Sequence, residues 1–160
     1  MASDFEMYKA YVKELGRYDP GLLDMDNDEI KETVYAYKSE ILTDWINITD
    51  EEKTVGFLIV SQDIDERHPD ATYEICQLYV DQEHRRKGLA SKAVAEYLSN
   101  KNGSLVSLDI INGNYTASMF WHKAMKEAGA TYTELKEDRD YEWVDNLTLY
   151  GYRIGEKSGK

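Results

Sequence analysis

The chain has 160 residues with 19 Lys+Arg against 31 Asp+Glu, a net charge of −12. That balance argues against a nucleic-acid ligand, whose phosphates need a basic face, and either favours a cationic partner or serves solubility alone. At 42% hydrophobic and 31% charged residues the composition suits one soluble globular domain with a single core, over residues 1–155, followed by a short polar tail at 156–160. No run approaches the roughly 20 apolar residues of a membrane span, and Met1-Ala2-Ser3-Asp4-Phe5 lacks the charged and apolar regions of a secretion signal, so a cytoplasmic protein with no membrane partner is expected.

In chain order, Phe5, Met7, Tyr8, Tyr11, Val12 and Leu15 recur at helical spacing between a cap at Ser3 or Asp4 and Gly16, which predicts a first helix. Tyr18-Asp19-Pro20-Gly21 is a turn. Asp26 to Glu29 supply caps and helix-start acids for a second helix to about Lys38, although the β-rich Thr33 to Tyr37 leaves a strand open. A hairpin follows, from Ile41 to Thr49 and from Thr54 to Ser61 around the polar turn Asp50 to Lys53. Asp63 to Asp70 reads as a loop. Tyr73-Glu74-Ile75-Cys76-Gln77-Leu78-Tyr79-Val80 is a strand by composition, and Leu89, Ala93, Val94, Tyr97 and Leu98 then mark one face of a helix. Leu105 to Ile111 forms another strand, Tyr115 to Ala128 a helix closed by Gly129, and two strands near Ala130 to Leu135 and Asn146 to Arg153 complete the order. This alternation predicts an α/β domain with a mixed sheet and helices on both faces.

The centre of the pattern is Arg85-Arg86-Lys87-Gly88-Leu89-Ala90, three cations and a glycine between strand and helix in an otherwise acidic protein. A helix start offers free backbone N–H groups and the positive end of its dipole, and a glycine lets an anion approach the backbone. Cations are ordinarily unfavourable there, so the corner reads as a polyanion site, with a solvated basic loop as the plainer alternative. Arg85-x-x-Gly88-x-Ala90, directly after the strand ending at Val80, resembles the acyl-CoA pyrophosphate loop of the GNAT-type N-acetyltransferases. The resemblance covers about residues 41 to 154 and implies a mostly antiparallel twisted sheet of six to seven strands whose motif strand and the next splay into a V-shaped cofactor cleft. The family usually opens with a strand, and none is read here before the first helix.

The resemblance also implies site residues. Backbone amides from Arg86 through Ala90, with Arg85, Lys87 and Ser91 nearby, would hold the pyrophosphate of acetyl-CoA while the pantetheine arm lies along Leu78 and Val80. Asn114, opening Asn114-x-x-Ala117, would bond that arm, or serve only as a helix cap. Glu74, six residues before Val80, matches a catalytic glutamate that takes the proton of an ammonium whose pKa is ~10.4. Strict alternation places it on the face of Cys76, Leu78 and Val80, unless a β-bulge intervenes, and a salt-bridged surface glutamate is the alternative. The oxyanion would meet a main-chain N–H near Leu78 to Val80. Members that use a tyrosine as general acid place it seven residues after the asparagine, where this chain has Trp121. His122 and Tyr115 are neighbours pointing elsewhere on an ideal helix.

Tyr35, Tyr37, Trp45, Tyr79, Tyr132, Tyr150 and Tyr152 read either as an acceptor pocket for a cation or as packing. The acids from Glu134 to Asp145 read either as attraction for a cationic acceptor or as a solvated loop. His68, His84 and His122 have no ligand-like spacing with each other or with the lone Cys76, so no metal is expected. Cys76 itself reads as a small buried hydrophobe rather than a nucleophile. The sequence therefore points to transfer of an acetyl group to a primary amine on a small molecule or a protein. A non-catalytic acyl-CoA-binding or interaction module is the alternative, and a homodimer is implied by the family alone.

Overall fold

In the computed structural model, residues 3–62, 71–133 and 147–155 are described. The predicted loop from Asp63 to Asp70, the acidic run from Glu134 to Asp145 and the tail lie outside them. Local capping sets the first two helices. The Ser3 hydroxyl accepts from the Glu6 N–H at 3.2 Å to open α1 (Asp4–Leu15), and Asp26 accepts from the Glu29 N–H at 2.8 Å to open α2 (Asn27–Ser39). A 3-10 turn, Pro20–Asp24, joins them. The segment in which a strand was left open is helical, because Ile30 and Val34 lie one turn apart and both are buried.

The hairpin of β1 (Thr43–Asp50) and β2 (Lys53–Ser61) turns through Glu51 and Glu52, with φ of 51° and 70°. A two-residue turn that follows the strand twist needs two such left-handed residues, here glutamates in place of the usual Asn-Gly. Then come β3 (Tyr73–Val80), α3 (Leu89–Leu98), β4 (Leu105–Ile111), α4 (Tyr115–Glu127), β5 (Ala130–Thr133) and β6 (Leu147–Ile154). The six strands run in the order β1-β2-β3-β4-β6-β5, and every neighbouring pair is antiparallel except β3 with β4. Among the described residues no strand precedes α1, and no helix is long and apolar enough to cross a membrane.

Both sheet faces are covered. Phe57 and Ile59 of β2 pack under α1 and α2 with Met7, Tyr8, Val12, Ile30 and Val34. Leu58 and Val60 face the other way, with Ile75, Val106 and Leu108, under Val94 and Leu98 of α3 and Trp121 and Met125 of α4. Each fully buried aliphatic side chain contributes roughly 1.5–3 kcal/mol, so the central strands are fixed from both sides. The site depends on what happens at their ends.

Parallel pairing of β3 with β4 covers only Tyr73 to Ile75 against Val106 to Leu108, although β3 continues to Val80 and β4 to Ile111. The cause lies on the opposite edge of β3. There Val60 pairs with Ile75 and Ile59 with Gln77, leaving Cys76 as an extra residue. Such a bulge bends its strand and increases the local twist. β3 therefore leaves β4 immediately after Ile75, and the two strands diverge into the splay that the family resemblance implied.

Candidate functional site

A cleft of about 1040 Å³ opens where the strands part. Its floor is β3 from Glu74 to Val80 and β4 from Leu108 to Ile111, and its walls come from α1, α2, the loop before α3 and the start of α4. The Asp81 N–H donates to the Val55 carbonyl at 2.8 Å, which sets the phase of the ladder with β2. Tyr79 and Gln77 direct their peptide groups toward β2, while Leu78 and Val80 direct theirs into the gap. This is an open strand edge, able to take an added strand-like ligand.

One group on that edge is already engaged. Arg85 Nε donates to the Val80 carbonyl at 2.6 Å and Arg85 Nη2 holds Glu14 of α1 at 2.6 Å. Its charge is thus balanced within the protein. Lys87 is not brought into the cleft: its ammonium pairs with Asp50 at the end of β1, 2.7 Å away, and that hydrogen bond holds the Asp50 carboxyl below its ordinary range. Arg86 does line the cleft, is exposed, and has no ion pair among the described residues.

The loop backbone is shaped for an anion. Arg86 and Gly88 both have positive φ, 65° and 77°, and Gly88 leads directly into the right-handed turn of α3, a left-handed to right-handed step that turns successive amides toward one concavity. Among the described residues the N–H groups from Arg86 through Ser91 donate to no other protein group. Gly88 lines the cleft, and a Cβ placed on it would have nothing within 4 Å. Leu89, Ala90 and Ser91, the first residues of α3, line the cleft together with Asn114. Asn114 Oδ1 caps α4 by accepting from the Ala117 N–H at 3.1 Å, which leaves the two donors of its amide nitrogen beside the cleft.

The bulge also decides what faces α1 and α2. Leu78 and Val80 pack with the core under α3 and α4, whereas Cys76 and Tyr79 pack on the opposite side. Glu74 lies with the second group, since its carboxylate accepts from the Cys76 thiol at 3.8 Å. The alternation that grouped Glu74 with Leu78 and Val80 is therefore corrected: the extra residue reverses the facing between them. Burial, aided by the Glu74 charge, pushes the Cys76 thiol up to about 12, so it remains protonated and unsuited to nucleophilic attack.

Gln77 takes the same side because Cys76 breaks the alternation. Its carboxamide oxygen accepts from the Tyr11 hydroxyl and its nitrogen donates to the Tyr37 hydroxyl at 3.1 Å. Sequence reading missed Tyr11, Glu14 and Gln77 as site residues. The one available signal was Gln77 itself, an amide inside an apolar strand. Of the tyrosines considered for an acceptor pocket, Tyr37 and Tyr79 line the cleft. Tyr132, Tyr150 and Tyr152 instead surround His122, whose Nδ1 lies 2.5 Å from the Tyr152 hydroxyl. Trp45 packs on Phe57, and Tyr35 and Tyr115 are exposed. Trp121 is buried at the cleft wall, where it brings no hydroxyl.

Known structures share this fold. An acetyltransferase from Thermus thermophilus superimposes with a TM-score of 0.59 at 15% identity, over 90% of this chain and 87% of its own. A protein from Bordetella pertussis assigned to the GNAT family gives 0.60 at 14% identity, over 96% and 98%. PaiA N-acetyltransferase from Thermoplasma acidophilum, in complex with coenzyme A, gives 0.52 at 13% identity, over 96% and 80%. A search of curated protein sequences finds no match. At these identities the structures establish the fold, and a profile of the Acetyltransferase (GNAT) family matches residues 7–126. With the profile spanning most of its length and the splayed strands and amide-lined corner in place, the chain belongs to the GNAT family of acetyltransferases.

Proposed function

We propose that this protein transfers an acetyl group from acetyl-CoA to a primary amine, with both held in the cleft at once and no covalent enzyme intermediate. The observation that carries this reading is the continuity of one cleft from the amide-lined corner at Arg86 to Ser91, along the open edge at Leu78 and Val80, to the carboxylate of Glu74. The donor set fits the cofactor: free amides and Arg86 suit a diphosphate, and an open strand edge suits an extended amide-bearing arm. Acetyl-CoA supplies a thioester-activated acyl carbon. Everything else is asked of the chain.

Arg86, Gly88, Leu89, Ala90 and Ser91 bind and orient through their backbone amides. Asn114 donates from the cleft's far wall, and Lys87 acts at most through its distant charge. Glu74 takes the first proton from the ammonium, which at neutral pH must be deprotonated before its nitrogen can attack. The C–N bond then forms as the C–S bond breaks, and sulfur keeps the electron pair. The nitrogen loses two protons in all. One matches the proton that sulfur takes from solvent, and the other is released. With Glu14 paired to Arg85, the acids Asp19, Glu74 and Asp109 line the cleft against Arg86 and Lys123, a balance that favours a positively charged acceptor once Arg86 is given to the diphosphate.

The test is an acceptor screen with acetyl-CoA that follows thiol release. An amine that yields stoichiometric thiol and amide is the expected result. Glu74→Gln should then lower kcat at pH 7 by on the order of 10²-fold or more with CoA affinity unchanged. Undiminished acetylation by that variant would remove Glu74 from the chemistry. CoA binding without transfer to any amine would leave an acyl-CoA-binding module.

A further inference from the structure

Attack on a thioester places negative charge on the acyl oxygen, and a strand edge offers one amide to meet it. We infer that the Tyr11 hydroxyl is a second donor to that oxygen, so that Tyr11 of α1 is a catalytic residue paired with the Leu78 N–H. This rests on the acetyl-transfer reading above.

Three observations converge on Tyr11. Its hydroxyl reaches from α1 across the cleft and donates to the Gln77 carboxamide oxygen, one residue from Leu78. The phase of the β2–β3 ladder turns the Leu78 N–H into the gap, next along the strand from the residue that holds the Tyr11 hydroxyl. The ring is held in place by edge and tilted contacts with Tyr8, Phe57 and Tyr79, at centroid distances of 5.7, 5.6 and 5.8 Å. Gln77 is fixed in turn by Tyr37. Rotation about a single C–O bond carries the phenolic hydrogen from Gln77 to an oxygen lying against the Leu78 amide. Two donors then meet one developing charge, the arrangement by which such sites stabilise it.

The rest of the cleft strengthens the assignment. The wall position at Trp121 has no hydroxyl, and the Cys76 thiol is turned to Glu74. Burial raises the Tyr11 phenol well above its ordinary range. It is therefore a hydrogen-bond donor at every working pH and does not need to release its proton.

The variant is Tyr11→Phe, which keeps the ring and its packing. With the best amine from the screen, kcat should fall about 10²-fold, while KM for the amine and the dissociation constant for CoA stay within about threefold. A readout independent of turnover is the carbonyl stretch of bound acetyl-CoA labelled with carbon-13 at the acyl position. It should lie below that of free acetyl-CoA in the wild type and move back toward the free value in Tyr11→Phe. Turnover within threefold of wild type, a loss confined to the amine KM, or an unmoved carbonyl band would each overturn the assignment. If the wild type binds acetyl-CoA yet acetylates no amine, the band alone decides. If it fails to bind acetyl-CoA, the transfer reading falls first and this one falls with it.

Discussion

Gly88 offers a test in which strain and function can be separated. Its φ of 77° lies in the left-handed region, and an added Cβ would have no atom within 4 Å. Gly88→Ala therefore costs conformational strain without a clash, roughly 1–2 kcal/mol, or about 2–8 °C in melting temperature for a domain of this size. Gly129, at the joint of α4 and β5, has a φ of 79° and equally open surroundings, so Gly129→Ala should lower stability by the same amount. The two positions differ in what lies above them. Gly88 lines the cleft beside the free amides and Gly129 does not. A methyl group added beside these amides would crowd at least one N–H contact to a charged diphosphate, and hydrogen bonds to charged groups contribute about 1.5–3 kcal/mol, a tenfold to hundredfold loss of affinity. Calorimetric titration with CoA and a thermal melt of each variant make the comparison. Equal melting losses with weakened CoA binding only in Gly88→Ala are expected. CoA binding equally tight in both variants would refute the reasoning.

The remaining cations should rank unequally. Arg86→Ala is expected to weaken CoA binding about tenfold and to flatten its salt dependence. Lys87→Ala should change it less than threefold, because that ammonium is committed to Asp50; the opposite ranking in the same titration would show the loop rearranging on binding. Cys76, with its thiol raised to about 12, should react with a disulfide reagent at pH 8 about 10³-fold more slowly than a free thiol of pKa ~8.5, and stoichiometric labelling within seconds would contradict that raised value. Folding stability should also fall in alkali. Tyr8, Tyr11, Tyr37, Tyr152 and Cys76 all hold their protons more tightly when folded, chiefly through burial. Their contribution is complete below the unfolded values, ~8.5 for the thiol and ~10 for the phenols, and is lost as pH rises toward the folded ones, about 12 for Tyr152 and Cys76. Urea midpoints followed by tryptophan fluorescence should hold to pH 8 and decline above it, and a flat profile to pH 11 would count against the assignment.

Much of the fold could be read in the sequence because its signals are local. Tyr73–Val80 and Leu105–Ile111 are bounded by polar turns and rich in strand-forming side chains. Ser3, Asp26 and Asn114 cap the helices whose starts they mark. The amide corner is equally local, since a glycine after three cations lies within one turn of a helix start. What escaped depends on pairs distant in sequence. Lys87 is claimed by Asp50 and Arg85 by Glu14, and no spacing rule connects those positions. The tyrosines were divided between cleft, core and the His122 cluster by tertiary packing, to which composition is blind.

The bulge at Cys76 shows why the site in particular was harder to read than the fold. A bulge is a property of two strands, because it exists only where Ile59 and Val60 pair across a gap of one residue. Yet it makes three things true together. It bends β3 away from β4 and so creates the cleft. By adding one residue after Ile75, it sets the phase that turns the Leu78 and Val80 peptide groups to the open edge rather than toward β2. It also places Gln77 beside Cys76 on the side of α1 and α2, within reach of Tyr11 and Tyr37. With every residue kept but the ladder regular from the Val60–Ile75 pair onward, Leu78 would pair with Phe57 and Val80 with Val55, so their peptide groups would bond to β2 and Gln77 would point into the core beneath α3. Edge, donors and carboxylate are thus tied to one structural irregularity, and a pattern reader that assumes regular strands recovers the sheet while losing the chemistry.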